Sequence, residues 1–160
     1  MKDITFLVAG LRASTVKKRK DAAAELGKSG NLSAIVPLAG ALSDSHPAVR
    51  CEIVQALGRL GDSEAVPALI TALDDPESGI RSAAIAALGK IKDPAAVGPL
   101  ISCLKSKDMT VRIGAAEVLG KLGDSRAIEP LMALENDRFS EVREAAGAAC
   151  LLYTSDAADE

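Results

Sequence analysis

The sequence has no tryptophan, one tyrosine, two phenylalanines and one histidine in 160 residues. A core without large rings has to be assembled from Leu, Ile, Val and Ala, and apolar residues make up 48% of the chain. Small side chains let backbones approach one another, which suits closely packed helices. The same scarcity removes the aromatic platforms on which unpaired bases stack. No apolar run nears the roughly 20 residues of a membrane-spanning helix. Charge of one sign is also lacking: 19 Lys and Arg face 22 Asp and Glu, a formal net charge of −3. No global field therefore draws the chain to nucleic acid or to an anionic membrane. The three cysteines, Cys51, Cys103 and Cys150, show neither C-x-x-C nor metal-ligand spacing. They read as small apolar fillers in a reducing compartment, so a cytoplasmic location is expected. The opening MKDITFLVAGL resembles a leader, but Asp3 interrupts its basic start and no cleavage pattern follows. It reads as a first amphipathic helix.

What is present is repetition. The chain is one domain's worth of residues, and it matches itself at a shift of 31. Ile4, Ile35, Val66, Val97 and Ile128 fall in one column, and Leu7, Leu38, Leu69, Leu100 and Leu131 in another. Arg19, Arg50, Arg81, Arg112 and Arg143 fill a column without exception. Leu26, Leu57, Leu88 and Leu119 are each followed by a glycine: Gly27, Gly58, Gly89 and Gly120. A fixed period in this range marks a solenoid. The expected fold is an all-α solenoid of stacked helix pairs, with units 4–34, 35–65, 66–96, 97–127 and a truncated 128–149.

Each unit resolves into a helix A and a helix B. Val97, Leu100, Ile101 and Leu104 form one helical stripe, and Val111, Ala115, Val118, Leu119 and Leu122 a second. Thr15 and Asp108 are placed to cap a helix B, and Pro47 lies where a first turn needs no donor. Gly30, Gly61 and Gly123 sit just past helix B, where a left-handed residue ends a helix cheaply. Asp62, Asp93 and Asp124 then cap the next helix A, while Pro37, Pro99 and Pro130 should bend it or restart it after one short turn. One unit buries too little to fold alone, so stability is collective.

Units of the form DxxAVxPLIxxLxxxxxxVRxxAAxALGxIG resemble HEAT repeats of the short E/Z (PBS) lyase type, over residues 4 to about 149. The resemblance implies a right-handed stack of helix pairs with helix B on the concave side. It also implies a protein-binding role; some relatives are bilin lyase subunits, and some carry metal for hydroxylation. Those metal-bearing relatives have repeated His-Glu pairs, and this chain has none, so no metal or other cofactor is expected. His46, in SDSHPAVR, reads as a solvated cap. No nucleophile elbow, P-loop or zincin motif appears, so no catalytic residues are assigned and a non-enzyme is favoured.

After Ala149 the register fails: Leu151 stands in the glycine column and Tyr153 in an aliphatic one. CLLYTSDAADE, residues 150–160, resembles the translation of a sequencing adaptor read through into the frame, and is expected to be an artefactual tail. Without Asp156, Asp159 and Glu160, nineteen acids face nineteen bases.

Two charged columns are candidate sites. The arginine column (Arg19, Arg50, Arg81, Arg112, Arg143) reads as a structural ladder, because a guanidinium has the donors to bond the loop carbonyls or the capping Asp of a neighbouring unit. Lys28, Arg59, Lys90 and Lys121 follow the helix-B glycines. At the usual helix spacing of about 10 Å they form a stripe roughly 30 Å long. Complementing the helix dipole accounts for them better than binding does. If they bind, an acidic protein segment fits better than nucleic acid. Further candidate contacts on helix B are Glu52, Gln55, Met109, Ile113 and Glu117, with Met109 and Ile113 expected to be the most exposed hydrophobes. The expected function is a non-catalytic scaffold holding a protein on its concave helix-B surface. The alternative is a subunit of a bilin lyase-type complex. An uncapped last repeat would also invite end-to-end self-association.

Overall fold

The computed structural model describes residues 3–158, so Met1, Lys2, Asp159 and Glu160, the extremes of the leader-like opening and of the expected tail, lie outside the described residues. Among the described residues there are ten α-helices and no strand. They alternate short and long: α1 (Ile4–Gly10) and α2 (Val16–Lys28), α3 (Ile35–Gly40) and α4 (Pro47–Leu60), α5 (Val66–Ala72) and α6 (Ser78–Ile91), α7 (Val97–Cys103) and α8 (Met109–Leu122), α9 (Ile128–Ala133) and α10 (Ser140–Ala158). The short member of each pair is the expected helix A and the long member helix B. The fold is an α-solenoid of helix pairs. Contacts group the chain into two compact units, divided between Ile91 and Lys92.

In the first unit α2 packs on α4 and α4 on α6, while α1, α3 and α5 each pack on the long helix that follows. In the second, α8 packs on α10, and α7 and α9 on α8 and α10. The periodic leucines make the dry side: Leu26, Leu38, Leu57, Leu69, Leu88, Leu100, Leu119 and Leu131 are all fully buried.

Local signals act as their chemistry requires. Thr15 Oγ1 accepts from the Lys18 N–H and an Asp108 carboxylate oxygen from the Thr110 N–H, capping α2 and α8. His46 caps α4 through Nδ1, which accepts from the Ala48 N–H at 3.2 Å, and Pro47 takes the first turn. Asp62, Asp93 and Asp124 each cap a single 3-10 turn, at Ser63–Ala65, Pro94–Ala96 and Ser125–Ala127. The α-helix restarts after that turn, which places Pro37, Pro67, Pro99 and Pro130 near helix starts, where their missing N–H costs little. Gly30, Gly61 and Gly123 have φ of 68°, 69° and 69°. Lys92 occupies the same column with φ 59°, a conformation that costs a side-chain-bearing residue about 1–2 kcal/mol.

The glycine column after the leucines has a different cause. A Cβ on Gly27 would lie 2.7 Å from Ala56 Cα, one on Gly58 2.9 Å from Ala87 Cβ, and one on Gly120 2.8 Å from Ala149 Cα. Successive long helices therefore touch backbone to backbone at these points.

Past Ala149 the helix does not stop. Its run of alanines favours helix irrespective of repeat register, and α10 continues to Ala158. Leu151 and Leu152 stay exposed, whereas the Tyr153 hydroxyl lies 2.9 Å from both the Leu119 and the Asp124 carbonyl oxygens and donates its one proton between them.

Candidate functional site

The arginine column builds a repeated clip. Arg19 donates from Nε and Nη2 to the two carboxylate oxygens of Asp44 at 2.7 and 3.2 Å, and from Nη1 to the Ala13 carbonyl at 3.0 Å. Arg50 does the same to Asp75 at 2.8 and 3.1 Å and to the Asp44 carbonyl at 3.0 Å. Arg112 grips Asp137 at 2.9 and 3.1 Å and the Ser106 carbonyl at 2.7 Å. Arg81 donates from Nη1 to the Asp75 and Pro76 carbonyls, and Arg143 to the Asp137 carbonyl. Each guanidinium thus fastens the loop before its own helix, and Arg19, Arg50 and Arg112 reach the acid of the next helix pair as well.

An acid of the neighbouring unit is the expected partner, but which acids serve is not read from the sequence. Asp44, Asp75 and Asp137 share a column in which Ala13 and Ser106 take the other places. Each acid also accepts a backbone N–H two residues on, from His46, Glu77 and Phe139. Partial burial pushes the Asp44 and Asp75 carboxyls up, but the paired arginine and the backbone donor pull harder and leave both below the ordinary 3.8. At Asp137 the Arg112 hydrogen bond is the leading cause of the same lowering. Phe139 adds a ring 5.7 Å from the Arg112 guanidinium carbon and 4.7 Å from that of Arg138. Arg112 is the one buried charged side chain among the described residues.

The second column is less uniform. Lys28, Arg59 and Lys90 lie at the ends of three long helices that pack in sequence within the first unit, and Lys121 at the end of α8 in the second. All are exposed. Arg59 donates to Glu52 at 2.9 Å and to Gln55 at 3.5 Å, and Lys28 lies 3.6 Å from Glu25. No ion pair to Lys90 or Lys121 is found among the described residues. Glu52 and Gln55 therefore serve Arg59 and the structure brings these three together; Glu117 is exposed on α8, in the other unit.

Met109 and Ile113 are the hydrophobes expected to be most open among the variable helix-B positions. Both are half-buried. The large apolar side chains most open to solvent are Phe6 and Leu151, each 68% exposed, and Val36 at 66%. Phe6 and Val36 are on the short helices, whose outward side the column analysis did not weigh.

Among the described residues, no three His, Cys, Asp or Glu side chains are grouped to hold a metal, and no helix is long and apolar enough to cross a membrane. A cavity of about 480 Å³ between α1 and α3 is lined by Leu11, Arg12, Val36, Ser43 and Asp44 among others, and the Asp44 carboxylate there is held by Arg19.

Comparison with known proteins agrees with this geometry. The chain resembles the complex of CpcE and CpcF of phycocyanin lyase from Nostoc sp. PCC7120, with 27% identity and a TM-score of 0.81 over 99% of this chain and 67% of that one. The condensin Cnd3–Cnd2 subcomplex of S. pombe shares the fold at 21% identity and TM-score 0.79, over 98% of this chain and 23% of that one. So do computationally designed armadillo repeat proteins for modular peptide recognition, at 21% identity and TM-score 0.66, over 94% and 82% of the two chains. No curated protein matches the sequence. The family profile for HEAT repeats matches residues 4–88 and 66–150, which covers nearly all of the chain. With helix pairs at the same spacing as its sequence columns, this chain belongs to the HEAT-repeat family.

Proposed function

We propose that the chain is a non-catalytic scaffold that holds a protein partner along its helix-B face. The observation that carries this is the side-by-side packing of α2, α4 and α6, fixed by the close contacts at Gly27 and Gly58. It turns three separate helices into one surface with Lys28, Arg59 and Lys90 along an edge. An extended or helical acidic segment suits such a surface. The similarity to CpcE–CpcF and to a condensin subcomplex, both assemblies of protein chains, supports the same reading. The three free cysteines fit a reducing, cytoplasmic setting. The test is hydrogen-exchange footprinting with a polyglutamate peptide. Protection is expected on α2, α4 and α6, weakened by salt and by Lys28→Glu with Lys90→Glu. A footprint confined to α1, α3 and α5, or one unmoved by charge reversal, would sink the proposal.

A second reading is favoured by one observation, the 27% identity to the phycocyanin lyase complex. In it the chain is a subunit of a bilin lyase-type complex that handles a linear tetrapyrrole. Mixing the protein with a bilin should then shift the pigment's absorbance; an unchanged spectrum leaves the scaffold reading in place.

A further inference from the structure

His46 is the single histidine of the chain, and it stands in the column of Thr15, Glu77, Asp108 and Phe139. The residue is exposed, and its Nδ1 accepts the Ala48 N–H at 3.2 Å, the bond that caps α4. Thr15 and Asp108 make the corresponding cap on α2 and α8 with oxygen atoms. A hydroxyl oxygen accepts at any ordinary pH. An imidazole nitrogen accepts only while it carries no proton, and imidazole is the side chain that takes one up between about pH 8 and pH 5.

We propose that His46 is an acid-operated latch: the neutral ring holds the start of α4, and the protonated ring releases it. An imidazolium has two N–H donors and no acceptor, so its Nδ1–H would face the Ala48 N–H donor to donor. The positive end of the helix dipole adds to that repulsion. The Val49 and Arg50 N–H groups donate to the His46 carbonyl, and Pro47 has no N–H, so Ala48 is the first-turn donor that depends on the ring. The charges around the loop do not offset the added one. Asp44 attracts the imidazolium, but its two oxygens already accept from Arg19 on α2, and one of them from the His46 N–H. Arg12 lines a cavity with Asp44, and Arg50 on α4 donates to the Asp44 and Ser45 carbonyls. From the next helix pair, Asp75 is taken by Arg50, and Glu77 also acts on Arg50. Asp44, Asp75 and Glu77 thus balance Arg12, Arg19 and Arg50 before His46 gains its proton. The capping bond is therefore whole at the alkaline end of the imidazole range and lost as the pH falls through it. The same loop carries Asp44, by which Arg19 fastens α2 to the second helix pair, so the release loosens that clip as well.

An NMR titration of the full chain between about pH 8 and pH 5 tests this. The start of α2 is the internal control, because Thr15 caps it through the Lys18 N–H with a group that does not titrate. At the alkaline end the imidazole nitrogen shifts should show Nδ1 bare and the proton on Nε2. Toward acid the Ala48 amide should shift together with the ring. Its solvent exchange, corrected for intrinsic rates and taken relative to Lys18, should rise roughly fivefold, as loss of a cap implies. His46→Thr should keep the cap and abolish both changes. A neutral ring that carries its proton on Nδ1 overturns the proposal. So does an Ala48 amide whose exchange relative to Lys18 is the same at both ends, and these two readouts need no variant. A His46→Thr chain that keeps the pH dependence overturns it as well, since the titrating group then lies elsewhere.

Discussion

Asp75 serves two helix pairs at once: its carboxylate takes Arg50 from the pair before, and its carbonyl takes Arg81 from its own. The side chains of Arg50 and Asp75 are only 14% and 10% exposed, so the bidentate pair is screened little by water. Asp75→Asn should cost about 2 kcal/mol at neutral pH, because a charge-assisted fork becomes a single ordinary bond beside a half-desolvated guanidinium. The pH dependence follows from the sign of the shift. A carboxyl whose folded value lies below its ordinary 3.8 contributes stability that is whole above that value and is lost as the pH falls through the lower folded one. Denaturant titrations at pH 7 and near pH 2 should therefore show the gap between wild type and Asp75→Asn closing in acid. A gap that persists would mean that the asparagine harms packing rather than charge. The arginines were legible because all five places of their column agree. That an acid would meet them was legible too, but not which one, because Ala13 and Ser106 interrupt the acid column and the partner lies 25 residues further on.

Among the helices, glycines of one composition do opposite work, and only geometry separates them. Gly27 sits where α2 touches α4, with Ala56 backbone 2.7 Å from any Cβ placed there. Gly27→Ala should destabilise by about 1–3 kcal/mol through forced separation of the two helices, outweighing the roughly 1 kcal/mol that alanine gains in helix propensity. Gly147, inside α10, has nothing within 4 Å of its Cβ position. Gly147→Ala should therefore stabilise by up to about 1 kcal/mol. Thermal melts of the two variants should move in opposite directions, and a shift of both the same way would contradict the contact geometry. Element starts and stops were readable from caps and prolines, since Thr15, Pro47, Asp62, Asp93 and Asp108 each stand where a backbone group needs them. The left-handed stop at Lys92 was hidden, because its residue type gives no sign of φ 59°.

At the scale of the molecule, a repeat architecture makes stability a sum over neighbours rather than the property of one central core. The first unit gives the cleanest case. α4 packs against both α2 and α6, and its Leu57 is fully buried. Removing its side chain should leave a cavity and cost about 3 kcal/mol. In a globular domain such a loss would be shared by every element that unfolds with the core. In a nearest-neighbour stack it should be concentrated where contacts were lost, since each helix pair is held by the pairs it touches. Amide exchange of Leu57→Ala should accordingly show the greatest loss of protection in α2, α4 and α6. Protection in α8 and α10, where Leu119 and Ala149 are buried, should change least. An equal drop across all ten helices would show instead that the chain opens as a single cooperative body, and the one-dimensional account of its stability would fail.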